Sequence, residues 1–411
     1  LGQILFTDVA KISLFQPAFI LDFTDDVKKH IYVTLYISLI SVYIGYRLWE
    51  KKNQISNVVF DMNTDYVKIL RNLSEKAMYF FFFFALLENG EKMVFVQQVS
   101  YIEYYTDFHS SLPTLFLKFA NFYDISFYLY IATLPPKKEA MKSLLCFFII
   151  GCISIGYGQR NGFVLNMLIA IIYIFFRDYN RFYGSDEKWL SRKMVIGMLC
   201  ILPLLLMFLF AFSSWRSDNE VDSKLTAVDM LYGFFYGQGG SYRIIGYDSI
   251  YGGQFPSSFP YSLGYFVDMY EQNYLFKFLG IAPSYAPHTA EAALNGHNYG
   301  EIISYFAIPE EYLNGAGVGS CYIAEIYHDF GYVGVVLINM LYGAIFASFN
   351  RHSLKSVWRL FIFFCIIMNI LYAPRASALY FITNIISVSF LGYVILMRMI
   401  VNNKIRKTHK R

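Results

Sequence analysis

The run MVIGMLCILPLLLMFLFAFS, residues 194–213, contains no charged side chain and is bracketed by Arg192 and Lys193 on one side and Arg216 on the other. A helix needs about 20 predominantly apolar residues to cross a bilayer, and flanking cations mark where it leaves the hydrocarbon. Eight further runs read the same way: 30–49, 77–97, 113–133, 142–158, 160–176, 331–349, 357–373 and 378–399. The run at 77–97 is the least regular, because Glu88, Glu91 and Lys92 fall inside it. The whole chain of 411 residues agrees, with 56% hydrophobic, 20% aromatic and 16% charged residues. Its mean hydropathy is +0.40. Soluble domains carry about 25% charged residues. These figures exclude a soluble enzyme, a disordered chain and a nucleic-acid-binding domain. The expected fold is an all-α polytopic membrane protein of nine to ten or more spans.

Basic residues collect in alternate loops, which orients the set. The tail NNKIRKTHKR after 401 places the C-terminus in the cytoplasm. Counting back, the loops with Arg351 and Lys355, with Arg177, Arg181, Lys188, Arg192 and Lys193, with Lys137, Lys138 and Lys142, and with Lys51, Lys52, Lys68, Arg71 and Lys76 all fall on that side. Nine spans then put residue 1 outside. With Leu1 rather than Met at the start, a further upstream helix is expected.

The sixth and seventh spans enclose a long outer segment, 214–330. Between 216 and 315 it holds four basic residues, Arg216, Lys224, Arg243 and Lys277, against eleven acidic ones. Long loops are usually functional. Helical patches are expected near 225–236 and 261–279, with Gly-, Pro- and Tyr-rich turns near 237–260 and 280–300. The domain plan is therefore 1–213 transmembrane, 214–330 a large outer loop of amphipathic helices, and 331–411 transmembrane with a basic tail. The cysteines Cys146, Cys152, Cys200, Cys321 and Cys365 fit apolar packing rather than a disulfide or metal framework.

Four arginines are placed at the outer boundary, against the charge trend: Arg160 in GYGQRNG, Arg216 in SSWRSD, Arg243 in GQGGSYR and Arg375 in YAPRAS. Any one of them could snorkel to lipid phosphates. As a group they point to an anion site, since guanidinium forks bind phosphate oxygens bidentately and stay charged. A second constellation lies at 314–334, where Gly315, Gly317 and Gly319 precede a helix carrying Tyr322, Glu325 and Asp329 on one face. Glycine lets a backbone approach a ligand closely, and a helix N-terminus favours an anion. The ordinary alternative is a hinge before an amphipathic helix. A third group, His288, Glu291, His297 and Glu301, offers general-base chemistry, although loop histidines are more often merely solvated. Its spacing supports no metal site.

The many spans, the late outer loop, Arg160, the Pro-Arg before the last span and above all YLNGAGVGSCYIAEIYHDFGYVG at 312–334 resemble Wzy-type polysaccharide polymerases of bacteria. These act on O-antigen, enterobacterial common antigen and capsule repeat units. Cys321 beside Ser320 departs from the small polar residue expected there. The resemblance implies a fold similar to C-type membrane glycosyltransferases, in the cytoplasmic (inner) membrane with the active site facing the periplasm. It implies transfer of a growing glycan from undecaprenyl pyrophosphate to an incoming lipid-linked repeat unit, inverting and without metal or other cofactor. A Wzz-like chain-length regulator is the implied partner, and nucleic acid is not.

In that chemistry Arg160, Arg216, Arg243 and Arg375 would hold the pyrophosphate. The proton acceptor would come from His297, Glu325 and Glu301, with Tyr242 and Tyr322 against sugar. Two rivals share features. An O-antigen ligase would have the same architecture and a different acceptor. A lipid-linked oligosaccharide flippase or transporter should show two related halves and charges lining a path at mid-membrane. A membrane acyltransferase, expected to hold a histidine within a span, fits less well, as His30 and His328 lie at span edges.

Overall fold

The computed structural model describes residues 23–52, 60–99, 104, 108–180, 187–216, 226–256, 260–271, 279–280, 285–349 and 353–408, and among them all regular structure is helical. The helices are α1 Asp25–Lys52, α2 Asp65–Val96, α3 Thr114–Ala132, α4 Lys137–Gly156, α5 Arg160–Asn180 and α6 Arg192–Arg216. Then come α7 Ala227–Gln238, α8 Tyr242–Tyr251, α9 Tyr261–Glu271, α10 Ala290–Asn295, α11 Tyr299–Ala307 and α12 Pro309–Leu313. The chain ends with α13 Tyr322–Phe349, α14 Val357–Tyr372, α15 Tyr380–Ile386 and α16 Val388–Thr408. Among the described residues, seven helical segments are long and apolar enough to cross a membrane: α1, α4, α5, α6, α13, α14 and the α15–α16 stretch. The protein is thus polytopic and all-α. The other two apolar runs also form helices, α2 and α3.

Contacts divide the chain into two units. The first takes Phe60–Gly237 and Gly392–Arg411, the second Gln238–Leu391 with the described part of Lys11–Val59. In the first unit, the phenylalanine run of α2 packs on α3, with Phe84 against Phe116 and Phe119 at 4.9 and 5.1 Å and Phe81 against Phe122 at 5.5 Å. The charges that made α2 irregular are paired or hydrogen-bonded locally. Lys92 pairs with Glu88 at 2.6 Å, and Glu91 accepts hydrogen bonds from the serine pair Ser110 and Ser111. Such pairing offsets the cost of carrying ionised groups in an apolar helix.

The loop between α5 and α6 is held by a buried cation. Arg177 is 0% exposed, donates to Pro135 O at 2.7 Å and Tyr173 Oη at 2.8 Å, and grips both oxygens of Glu187 at 3.0 and 3.2 Å. Its guanidinium lies 4.5 Å from the Trp189 ring centre. Asp178 accepts from the backbone amides of Trp189 and Leu190. One of the cations that oriented the sequence is therefore committed to tertiary structure.

In the second unit, α1 lies along α13. A side chain added at Gly343 would come within 2.0 Å of Val42 O, and one at Gly45 within 2.1 Å of Met340 O. Small residues allow this approach of backbones. Helix α13 is two arms joined at Gly331, whose φ of 59° is open to glycine. Tyr322 Oη donates to Asn339 Oδ1 at 2.6 Å, and the Tyr322 and Tyr342 rings are 4.8 Å apart. A straight helix would separate residues 322 and 339 by about 25 Å, so the first arm folds back along the second. The expected start of a span at 331 coincides with this break.

Two expectations are refined. The stretch 378–399 is two helices, because Ser387 is extended (ψ 146°) and caps the amide of Phe390. Within the turns expected at 237–260, residues 242–251 are helical. Ile244, Ile245 and Tyr247 are buried in the core with Phe23 and Ile31, and that packing outweighs the Gly- and Tyr-rich local sequence. The patch at 225–236 corresponds to α7. Of the patch at 261–279, 261–271 is helical as α9, and 272–278 lies outside the described residues. None of the five cysteines is in a disulfide, and Cys321 and Cys365 are buried.

Candidate functional site

Polar chemistry concentrates in the second unit, where α8, α9, α11 and the first arm of α13 meet. Asp248, buried on α8, faces two groups through one oxygen: Tyr299 Oη donates to Oδ1 at 2.9 Å, and His328 Nδ1 lies 2.9 Å from the same atom. The His328 ring sits 5.1 Å from Phe255, 5.4 Å from Tyr261 and 6.0 Å from Tyr299, centre to centre. A side chain at Gly252 would meet Asp248 Oδ1 at 2.9 Å and His328 Nδ1 at 3.1 Å, so the turn after α8 leaves this pair its space. The next residue, Asp329, accepts from the backbone amides of Tyr261 at 3.0 Å and Ser262 at 2.7 Å. That is an anion at the N-terminus of α9, and it fixes α9 to α13.

Burial, then the charge of Asp248, holds the Tyr299 phenol well above its ordinary pKa. Burial, then Asp329, pushes the Tyr261 phenol up to about 12. Both stay protonated at neutral pH, and Tyr299 therefore remains a donor to the Asp248 carboxylate.

Of the nine residues given roles from sequence, seven lie in this unit. Glu325 is 0% exposed; Ser320 Oγ donates to Oε1 at 2.6 Å and the Ala378 amide to Oε2 at 2.7 Å. Tyr342 Oη donates to the carbonyl of the same Ala378 at 2.6 Å, so both arms of α13 hold the loop that follows Arg375. Arg375 closes the turn Ala373–Arg375 and is half-buried. Tyr322 is buried on Asn339, as above. Tyr242 and Arg243 open α8 and are half-buried, on the helix that carries Asp248. His297 is half-buried before α11, and its carbonyl would lie 1.8 Å from a side chain at Gly264. Glu301 accepts from Tyr312 Oη at 3.3 Å, and the Tyr312 ring lies tilted with its centre 5.2 Å from that of His288. Gly315 and Gly319 adopt φ of 94° and 78°, so the glycine stretch is a loop that needs them.

The other two lie in the first unit. Arg160 begins α5 and donates to Leu209 O on α6 at 3.3 Å. In the preceding turn Tyr157 donates to Asn89 Oδ1 at 2.8 Å, and Lys92 Nζ lies 5.9 Å from the Tyr157 ring centre. A second cation thus approaches the turn that presents Arg160. Arg216 is the last residue of α6, and its side chain lies outside the described ones. Among the described residues, no three His, Cys, Asp or Glu side chains converge as metal ligands.

The sequence model of one family, O-antigen polysaccharide polymerase Wzy, matches residues 6–407. The chain belongs to that family. The seven membrane-length helices among the described residues and the polymerase family make it a multi-pass membrane protein of O-antigen polysaccharide synthesis. No curated protein and no solved structure matches the chain. The family's helices were legible from apolar runs; Asp248, Tyr299 and the capping role of Asp329 were not. His328 stood in the 312–334 motif without a partner, because its partner is on a helix read as turns.

Proposed function

We propose that this chain polymerises undecaprenyl-pyrophosphate-linked oligosaccharide repeat units on the outer face of the cytoplasmic membrane. The match to the polymerase family over residues 6–407 is the observation that supports the reading. The hydroxyl of the incoming unit's terminal sugar attacks the anomeric carbon of the growing glycan. The C1–O bond to pyrophosphate breaks, configuration inverts, and the carrier leaves as undecaprenyl pyrophosphate. Arg160, Arg216, Arg243 and Arg375 are assigned to the charge that develops on the departing pyrophosphate, an electrostatic role that grows in the transition state. The hydroxyl proton passes to a basic side chain, for which His297, Glu301 and Glu325 are the groups named from sequence. Tyr242 and Tyr322 are assigned to the sugars. In this scheme 214–330 forms the outer cap between transmembrane sections 1–213 and 331–411, the C-terminus is cytoplasmic, and a Wzz-like regulator sets chain length.

Deleting the gene and resolving the host's lipid-linked and surface glycans on a gel tests this. The expected result is loss of the ladder, with one repeat unit left on the carrier or surface. A full ladder retained on undecaprenyl pyrophosphate would show a ligase instead. Repeat units trapped in the cytoplasmic leaflet would show a flippase.

A further inference from the structure

Asp248 receives two donors on one oxygen. A carboxylate is an acceptor only, and Tyr299 stays protonated, so the His328–Asp248 contact is Nδ1–H donating to Oδ1. The neutral imidazole then carries its lone pair on Nε2. His328 keeps 18% side-chain exposure, whereas Asp248 has 4%, so the ring has an open side and its partner does not. Phe255, Tyr261 and Tyr299 pack around the ring and fix its plane. Asp329, next in sequence, is committed to the amides of Tyr261 and Ser262 and cannot compete for the imidazole. A buried acid that fixes one nitrogen and leaves the other basic is the arrangement that general-base catalysis requires. By contrast, the two oxygens of Glu325 are occupied within the core, and Glu301 accepts from Tyr312.

Resting on the polymerase reading above, we propose that His328 is the catalytic base that takes the proton of the acceptor sugar's hydroxyl, with Asp248 and Tyr299 as its positioning residues. As the hydroxyl oxygen bonds to the anomeric carbon, its proton moves to His328 Nε2. The electron pair of the breaking C1–O bond leaves with the pyrophosphate. The imidazolium so formed is stabilised by the ionised Asp248 and returns its proton to water. Tyr299 Oη donates to the same carboxylate oxygen and keeps it aimed at Nδ1.

The test uses membranes from a gene-deleted host expressing the full chain, supplied with the undecaprenyl-pyrophosphate-linked repeat units that this host accumulates. Turnover and half-saturating concentration are measured together. His328→Ala is expected to slow turnover by about 100-fold or more at unchanged half-saturation, within the range for a lost general base. Added imidazole should restore it several-fold, which a merely structural role would not allow. His328→Gln, which can still donate to Asp248, should show the same loss at wild-type protein level. Asp248→Asn should lower turnover at least about tenfold with half-saturation unchanged, and Asp248→Glu should recover part of it. Wild-type turnover in His328→Gln, or a His328→Ala loss that imidazole does not relieve, overturns the proposal. Membranes with the wild-type chain that make no polymer at all would instead remove the polymerase reading beneath it.

Discussion

Arg160→Ala is expected to abolish long-chain polymer while the protein stays in the membrane at its normal amount. Arg160 opens α5 in the turn that Lys92 also approaches, and its guanidinium donates to the carbonyl of Leu209 at 3.3 Å. A guanidinium presents its donors in a planar fork that matches phosphate oxygens bidentately. Removing one preorganised donor from a developing oxyanion costs about 10²–10³ in rate. A phosphoryl leaving group without its cation should lose at least as much, enough to erase a ladder. Arg160→Lys should recover only part, because an ammonium cannot offer the planar fork. Arg216→Ala is expected to behave as Arg160→Ala does. Surface glycans on a gel, with an immunoblot of the membrane fraction, read both effects. A normal ladder in both alanine variants would remove the pyrophosphate role from these residues.

The largest effect on stability is expected at Arg177. Its guanidinium is 0% exposed and Glu187, gripped through both oxygens, has only 11% side-chain exposure. Removing one partner of a buried pair costs about 3–5 kcal/mol, because the other charge stays buried alone. Arg177→Ala also deprives Pro135 O and Tyr173 Oη of a donor and Trp189 of its stacked cation. The thermal midpoint of the detergent-solubilised protein should fall clearly. Arg177→Met combined with Glu187→Met should regain part of the loss, since no lone charge remains. A single variant with an unchanged midpoint would show that the pair contributes nothing net.

Much of this molecule is written in local pattern. The uncharged run 194–213 and its fellows become helices because a long apolar segment must satisfy its own backbone hydrogen bonds. Even the break at Gly331 falls where the seventh run was expected to begin. The site is less legible for a physical reason. Asp248 and His328 are far apart in sequence and meet through tertiary packing of α8, a helix that Gly and Tyr content disguised as turns. Glu325 looked like a base because a carboxylate in a motif is conspicuous. Its partners are a serine hydroxyl and the amide of Ala378, and no residue pattern announces a backbone amide. Arg177 was counted as a topological cation, and only the structure reveals its second use.

The most direct test of the polymerase reading is reconstitution. The purified full chain in liposomes, given only undecaprenyl-pyrophosphate-linked repeat units, is predicted to yield a ladder of lengthening glycans. One equivalent of free undecaprenyl pyrophosphate should appear for each unit joined. Single units that stay unjoined, under conditions where the same preparation complements the deletion in cells, would contradict it.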